Sequence, residues 1–119
     1  MNKMQAYQSF LEEFGLPVYD SGTVPDDAEL PYITYSPVYD GFGYTIPTNI
    51  SLWYRSTKWD AISLKAEEIS EGITRGGIML RYDDGAMWIQ KGRPWAQRMT
   101  DPDDTIRRIV LNIEIEFVD

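Results

Sequence analysis

Residues 109–117, IVLNIEIEF, alternate without interruption: Ile109, Leu111, Ile113, Ile115 and Phe117 share one side of an extended chain, and Asn112, Glu114 and Glu116 share the other. Successive side chains of a strand point to opposite faces. The segment therefore reads as a strand of nine or more residues with one face buried and one wet. A strand of that kind belongs to an antiparallel or mixed sheet covered on one side. The rest of the chain has to supply its neighbours and its cover.

Two helices supply the cover. Met4, Tyr7 and Leu11, with Phe10 and Phe14, recur at spacings of three and four, and Gly15 and Pro17 stop the pattern. Trp59, Ile62, Ala66, Ile69 and Ile73 form a second stripe, with Glu67, Glu68 and Glu71 mostly on its wet side. Ser56 and Thr57 are the expected caps of this helix, Thr57 and Asp60 having the spacing of a capping box. Gly72 or Gly76-Gly77 is expected to end it.

The remaining elements are extended. Residues 17–19 form a short piece suited to a sheet edge, and residues 20–29 a loop rich in turn formers. Residues 30–35 alternate, with Tyr32 and Thr34 on one side, and Pro31 places the segment at a strand start or a sheet edge. Residues 49–55 (NISLWYR) read as another strand. Residues 78–82 and 86–90, joined at Asp83-Asp84-Gly85, read as a hairpin. Residues 91–100 are expected to turn at Gly92, and Pro94 argues against strand there. The expected fold is α+β, one domain over residues 1–119. A single antiparallel or mixed sheet carries two helices packed on one face, in the order α-β-β-α-β-β-β.

Between the strands, residues 37–47 (PVYDGFGYTIP) form a Gly- and aromatic-rich excursion, with a tight turn expected at Asp40-Gly41. Exposed Tyr39, Phe42 and Tyr44 would suit an interface with another subunit or partner. The alternative, that the rings fold back onto the core, stays open at this point.

Composition removes most chemistry. The 119 residues include no Cys and no His. Disulfides, thiolate nucleophiles, Cys-ligated zinc and the usual imidazole base are absent with them. The acidic pairs Asp26-Asp27, Asp83-Asp84 and Asp103-Asp104 sit in turn contexts that favour Asp for backbone hydrogen bonding. Neither Gly76-Gly77 nor Gly41-Phe42-Gly43 matches a nucleotide fingerprint. The expectation is no enzyme, no cofactor and no bound metal. An enzyme using carboxylates and a divalent metal is the distant alternative. No apolar run approaches the about 18 residues of a membrane span, and the N-terminus lacks the apolar stretch of a signal peptide, so an intracellular product with no membrane partner is expected.

Net charge is −8, and it is uneven. Residues 4–54 hold seven acids and no base, whereas residues 55–98 hold eight bases against six acids. Such a chain repels duplex DNA at long range. The unevenness suits either an ordinary solvated surface or unlike faces meeting head to tail in a ring. Lys91, Arg93 and Arg98 surround Trp95 in sequence. Single-stranded nucleic acid could be bound by such a group, but a subunit contact anchored by Arg93, Trp95 and Arg98 fits the net charge better.

The arrangement as a whole resembles the tail-terminator, or tail-completion, proteins that join head to tail in long-tailed bacteriophages. The likeness runs through the helix ending at Gly15-Leu16-Pro17, GTVPDDAELPYITY, TKWDAISLKAEEISEGI, IMLRYDDGAMWIQKG and the acidic final strand. It implies a structural virion protein, assembled in the host cytoplasm, whose ring of usually six copies caps the tail tube and meets the head connector. DNA would pass through an acidic lumen without sequence-specific binding. On that resemblance, Asp26, Asp27, Glu29, Glu114 and Glu116 are the candidates for the lumen or ring face. A connector (stopper) or tail-tube subunit is the nearest alternative.

Overall fold

A computed structural model describes residues 1–39 and 44–118. The elements run α1 (Lys3–Glu12), β1 (Val18–Asp20), β2 (Tyr32–Tyr35), β3 (Thr45–Arg55), α2 (Asp60–Gly72), β4 (Ile78–Tyr82), β5 (Gly85–Met99) and β6 (Ile106–Val118). The class is α+β as expected, but the order is corrected: three strands, not two, separate the helices, because the short piece after Pro17 pairs in parallel with β2. All six strands form one sheet in the order β1-β2-β3-β6-β5-β4, antiparallel elsewhere.

The alternating strand is β6, and it lies in the sheet interior between β3 and β5. Register carries its apolar face sideways. Ile109 aligns with Leu52 and Ile33, Leu111 with Ile50 and Tyr35, and Ile115 with Ile89 and Ile46. Tyr7, Phe10 and Leu11 of α1 and Ile62, Ala66 and Ile69 of α2 complete the same core cluster. Each fully buried Leu or Ile contributes about 1.5–3 kcal/mol relative to an exposed one, so these rows hold the sheet and both helices together.

Local chemistry explains the element ends. Asn2 caps α1 by accepting from the Gln5 backbone N–H at 2.9 Å, and Gln5 Oε1 accepts from the Asn2 N–H at 2.9 Å. Gly15 then leaves the helix at φ +85°. The expected capping box of α2 does not form. Its N-cap is Trp59, without a side-chain cap bond. The Ser56 N–H is taken by the Thr105 carbonyl as a last rung of the sheet, and the Thr57 carbonyl accepts from Arg107 Nη2. Lys65 Nζ donates to the Phe14 carbonyl at 2.7 Å and ties α2 to the end of α1.

Two further expectations are corrected. Strand β3 begins at Thr45, so part of the 37–47 excursion is strand and pairs with β6. Pro47 is tolerated there because β2 opposes β3 only from Ile50 to Trp53, which leaves no ladder bond to lose on the open side. The turn expected at Asp40-Gly41 lies outside the described residues. Nor does β5 end at Gly92; it continues to Met99 through a bulge. Between the pairs Lys91–Ile113 and Ala96–Leu111, five steps along β5 span two along β6, and Pro94 sits inside that excess. Asn112 fastens it, its Nδ2 donating to the Pro94 carbonyl at 2.6 Å and to Gln97 Oε1 at 3.2 Å.

Two of the three acidic pairs have a carboxylate that accepts hydrogen bonds, one within its own turn and one from the N-terminus. Asp103 Oδ1 accepts from the Thr105 hydroxyl at 2.7 Å and its N–H at 2.9 Å, and these bonds, the hydroxyl first, hold the carboxyl below the ordinary range. Asp83 Oδ1 accepts from the Met1 ammonium at 2.8 Å, while the Asp83 N–H donates to the Met1 carbonyl at 2.9 Å.

Two substitutions test this frame. Ile113 is 1% exposed in the central strand, and Ile113→Asp buries an unpaired charge at a cost of about 4 kcal/mol or more; loss of cooperative thermal unfolding by circular dichroism is the expected outcome. A Cβ at Gly92 would stand 2.8 Å from Asn112 Cβ and 3.1 Å from its carbonyl carbon. Gly92→Ala should therefore lower stability by about 1–3 kcal/mol in urea unfolding.

Candidate functional site

An odd number of excess residues inverts the side-chain alternation of a strand. Before the bulge, Met87 and Ile89 point into the core. Beyond it, Ala96 and Arg98 take that side, opposite Leu111 and Ile109. Arg98 consequently reaches the start of α2, where its guanidinium lies 4.6 Å from the Trp59 ring centroid. Arg107, from β6, lies 5.3 Å from the same ring. Trp95 is half-buried and packs against the core, and its Nε1–H is buried without an acceptor among the described residues. Lys91 Nζ donates to Ser70 Oγ on α2 at 2.9 Å. Arg93 is exposed. The sequence grouping of Lys91, Arg93 and Arg98 around Trp95 is thus partly dispersed: Arg98 serves Trp59.

Two open pockets share Ser70 and Trp95 and follow the seam between α2 and the bulge. The larger also includes Arg75, Lys91, Arg93 and Glu114; the smaller includes Glu67 and Arg98. Four cations therefore line one seam against two carboxylates.

The sheet face turned away from the helices carries a ladder that the sequence did not reveal as a unit. Tyr19 and Tyr32 meet edge to face at 5.5 Å, Tyr32 and Trp53 lie 6.5 Å apart, and the Arg108 guanidinium stands 4.5 Å from the Trp53 centroid. Trp53 Nε1 donates to Thr34 Oγ1 at 2.9 Å, and Arg108 Nε and Nη2 donate to Ser51 Oγ at 3.2 and 3.1 Å. Val24, from the 21–31 loop, joins Trp53 and Arg108 around a pocket of about 160 Å³. The only sequence signal was Tyr32 beside Thr34 on one side of β2.

Asp26, Asp27 and Glu29 are exposed on that 21–31 loop. Glu114 and Glu116 are half-buried on β6, in the rows of Pro47 and Thr45 and beside Gln90 and Trp88. The five acids thus divide into two groups, one on the loop at the β1–β2 edge and one along the middle of the sheet. Among the described residues no group of three or more acidic side chains is placed to hold a metal ion.

Tyr39 and Tyr44 are 72% and 61% exposed, so these rings do not fold back onto the core; Phe42 lies outside the described residues. Val38 and Tyr39 line a pocket of about 360 Å³ with Met4, Tyr82 and Asp83. No helix is long and apolar enough to cross a membrane among the described residues.

A single curled six-stranded sheet with two helices defines an α+β protein. No protein-family model and no curated protein matches the chain. Among solved structures it is similar to a chain from the virion of a native gene transfer agent particle, over 96% of this chain and 92% of that one, with a TM-score of 0.68 at 20% identity. A second solved structure aligns over 100% of this chain and 98% of its own, with a TM-score of 0.61 at 10% identity. At these identities the likeness is one of fold.

Because both described tyrosines are largely exposed, replacing them should spare the monomer. Tyr39→Ser with Tyr44→Ser is expected to leave stability within about 0.5 kcal/mol, read as an unchanged midpoint in urea, while weakening any self-association measured by sedimentation.

Proposed function

We propose that this chain is a structural protein of a phage-like virion, acting as a tail terminator: a ring, of six copies in the closest reading, that caps the tail tube and presents a surface to the head connector. The observation that carries the reading is the fold match to a gene transfer agent virion chain, which spans nearly the whole of both proteins. Charge adds to it. A net charge of −8 disfavours a grip on DNA, which suits a passage through which a genome slides. Glu114 and Glu116, together with Asp26, Asp27 and Glu29, are its lumen or ring-face acids. Tyr39, Phe42 and Tyr44 belong to the contact with the tail tube or the next subunit, as do Arg93, Trp95 and Arg98.

Native mass spectrometry and negative-stain imaging across a concentration series test the reading. Closed rings of about six copies with a central hole are expected, as closure of a head-to-tail contact requires. Long tubes would transfer the assignment to the tail-tube subunit. Failure of the purified protein to bind isolated tails, together with absence of rings, would remove it.

A further inference from the structure

The seam between α2 and the bulge of β5 is lined by four cations and two carboxylates in a protein of net charge −8. Arg75 and Arg93 are exposed and have no side-chain partner among the described residues. Lys91 is held in place by Ser70. Trp95 lines the seam, while its Nε1–H is buried within the protein without an acceptor among the described residues. The cations of the seam suit a segment bearing exposed carboxylates.

Exposed carboxylates of this kind lie on the surface of this chain, on the turn-rich 21–31 loop. The 21–31 loop holds Asp26, Asp27 and Glu29, all exposed and without side-chain hydrogen bonds or ion pairs among the described residues. It leaves β1 and enters β2, at one end of the strand order, whereas the seam lies along β5, next to β4 at the other. One copy cannot fold its own loop across the sheet into its own seam. We infer that the seam receives the acidic 21–31 loop of a second copy of this chain. The contact is head to tail: each copy that donates its loop keeps a free seam, so the arrangement ends only by closing into a ring. The inference rests on the ring reading above, assigns its subunit contact, and moves Asp26, Asp27 and Glu29 from the lumen or ring face into that contact.

Two charge-reversal variants test it. One carries Arg75→Glu and Arg93→Glu on the seam; the other carries Asp26→Lys and Asp27→Lys on the loop. All four positions are exposed, and retention of the fold is checked by circular dichroism. Each variant alone should associate at least about tenfold more weakly than the unaltered protein in sedimentation velocity, since like charges meet at its contact. An equimolar mixture of the two should recover assembly, because every seam then faces a loop of opposite sign. Carbodiimide should join Lys91 of one copy to Asp26, Asp27 or Glu29 of another, located by peptide mapping. Rings that ignore both reversals, or a mixture no better than its components, would overturn the assignment and leave the ring reading standing. Absence of association by the unaltered protein at every concentration, together with failure to bind isolated tails, would overturn both. Oligonucleotide binding abolished by the seam reversal alone, with assembly untouched, would give the seam to nucleic acid instead.

Discussion

Burial of one face of β6 is the constraint on which the rest depends. The strand has long neighbours on both sides, so its five apolar side chains set the level at which β3 and β5 present theirs. A slip of one residue would move Ile113 and Leu111 to the wet face and bring Glu114 into the core. At a cost of several kcal/mol per buried charge, such a register cannot compete. The helices follow from the same face, since neither stripe could be buried without the apolar rows of β2, β3 and β6 beneath it.

The bulge in β5 is what gives this frame two different surfaces. Up to Lys91 the strand obeys the same alternation as β6; beyond it the alternation is inverted. The inversion directs Arg98 to Trp59, places half-buried Trp95 at the core margin and opens the seam beside α2. Asn112 holds the excess residues by two side-chain bonds, so a polar residue on the wet face of β6 serves the bulge rather than solvent.

Legibility in the sequence followed range. Strand β6, the β4–β5 hairpin and helix α1 were readable because periodicity and turn residues within a dozen positions decide them. The α2 cap was misread because its groups are recruited by partners about fifty residues away, the Thr105 carbonyl and Arg107. The far half of β5 was misread for a similar reason. Pro94 signals a break locally, and only pairing with β6 shows that the chain resumes the ladder. The Tyr19–Tyr32–Trp53–Arg108 ladder draws one residue from each of four strands, and the Met1–Asp83 ion pair joins positions 82 apart; neither leaves a mark in any short window. The acids could be named in advance, but not their division into a loop group and a sheet group.

Association through side-chain charge is also what the sheet edges favour. Open edges invite strand addition, and a sheet ending in β1 and β4 could in principle extend itself copy to copy. But β1 is three residues long, Val18–Asp20, and its exit is taken up at once: the Ser21 N–H donates to the Tyr35 carbonyl and the Gly22 N–H to Asp20 Oδ1. At the other edge β4 has only five residues and is packed by α1. Within β1 and β4 themselves, little backbone is free to hold a neighbour in register. Long-range attraction between a loop without bases and a seam rich in them needs no such backbone, orients the encounter and weakens with salt. An assembly of this protein held by that contact is one whose formation depends on ionic strength, whereas one built by strand addition would depend on it much less.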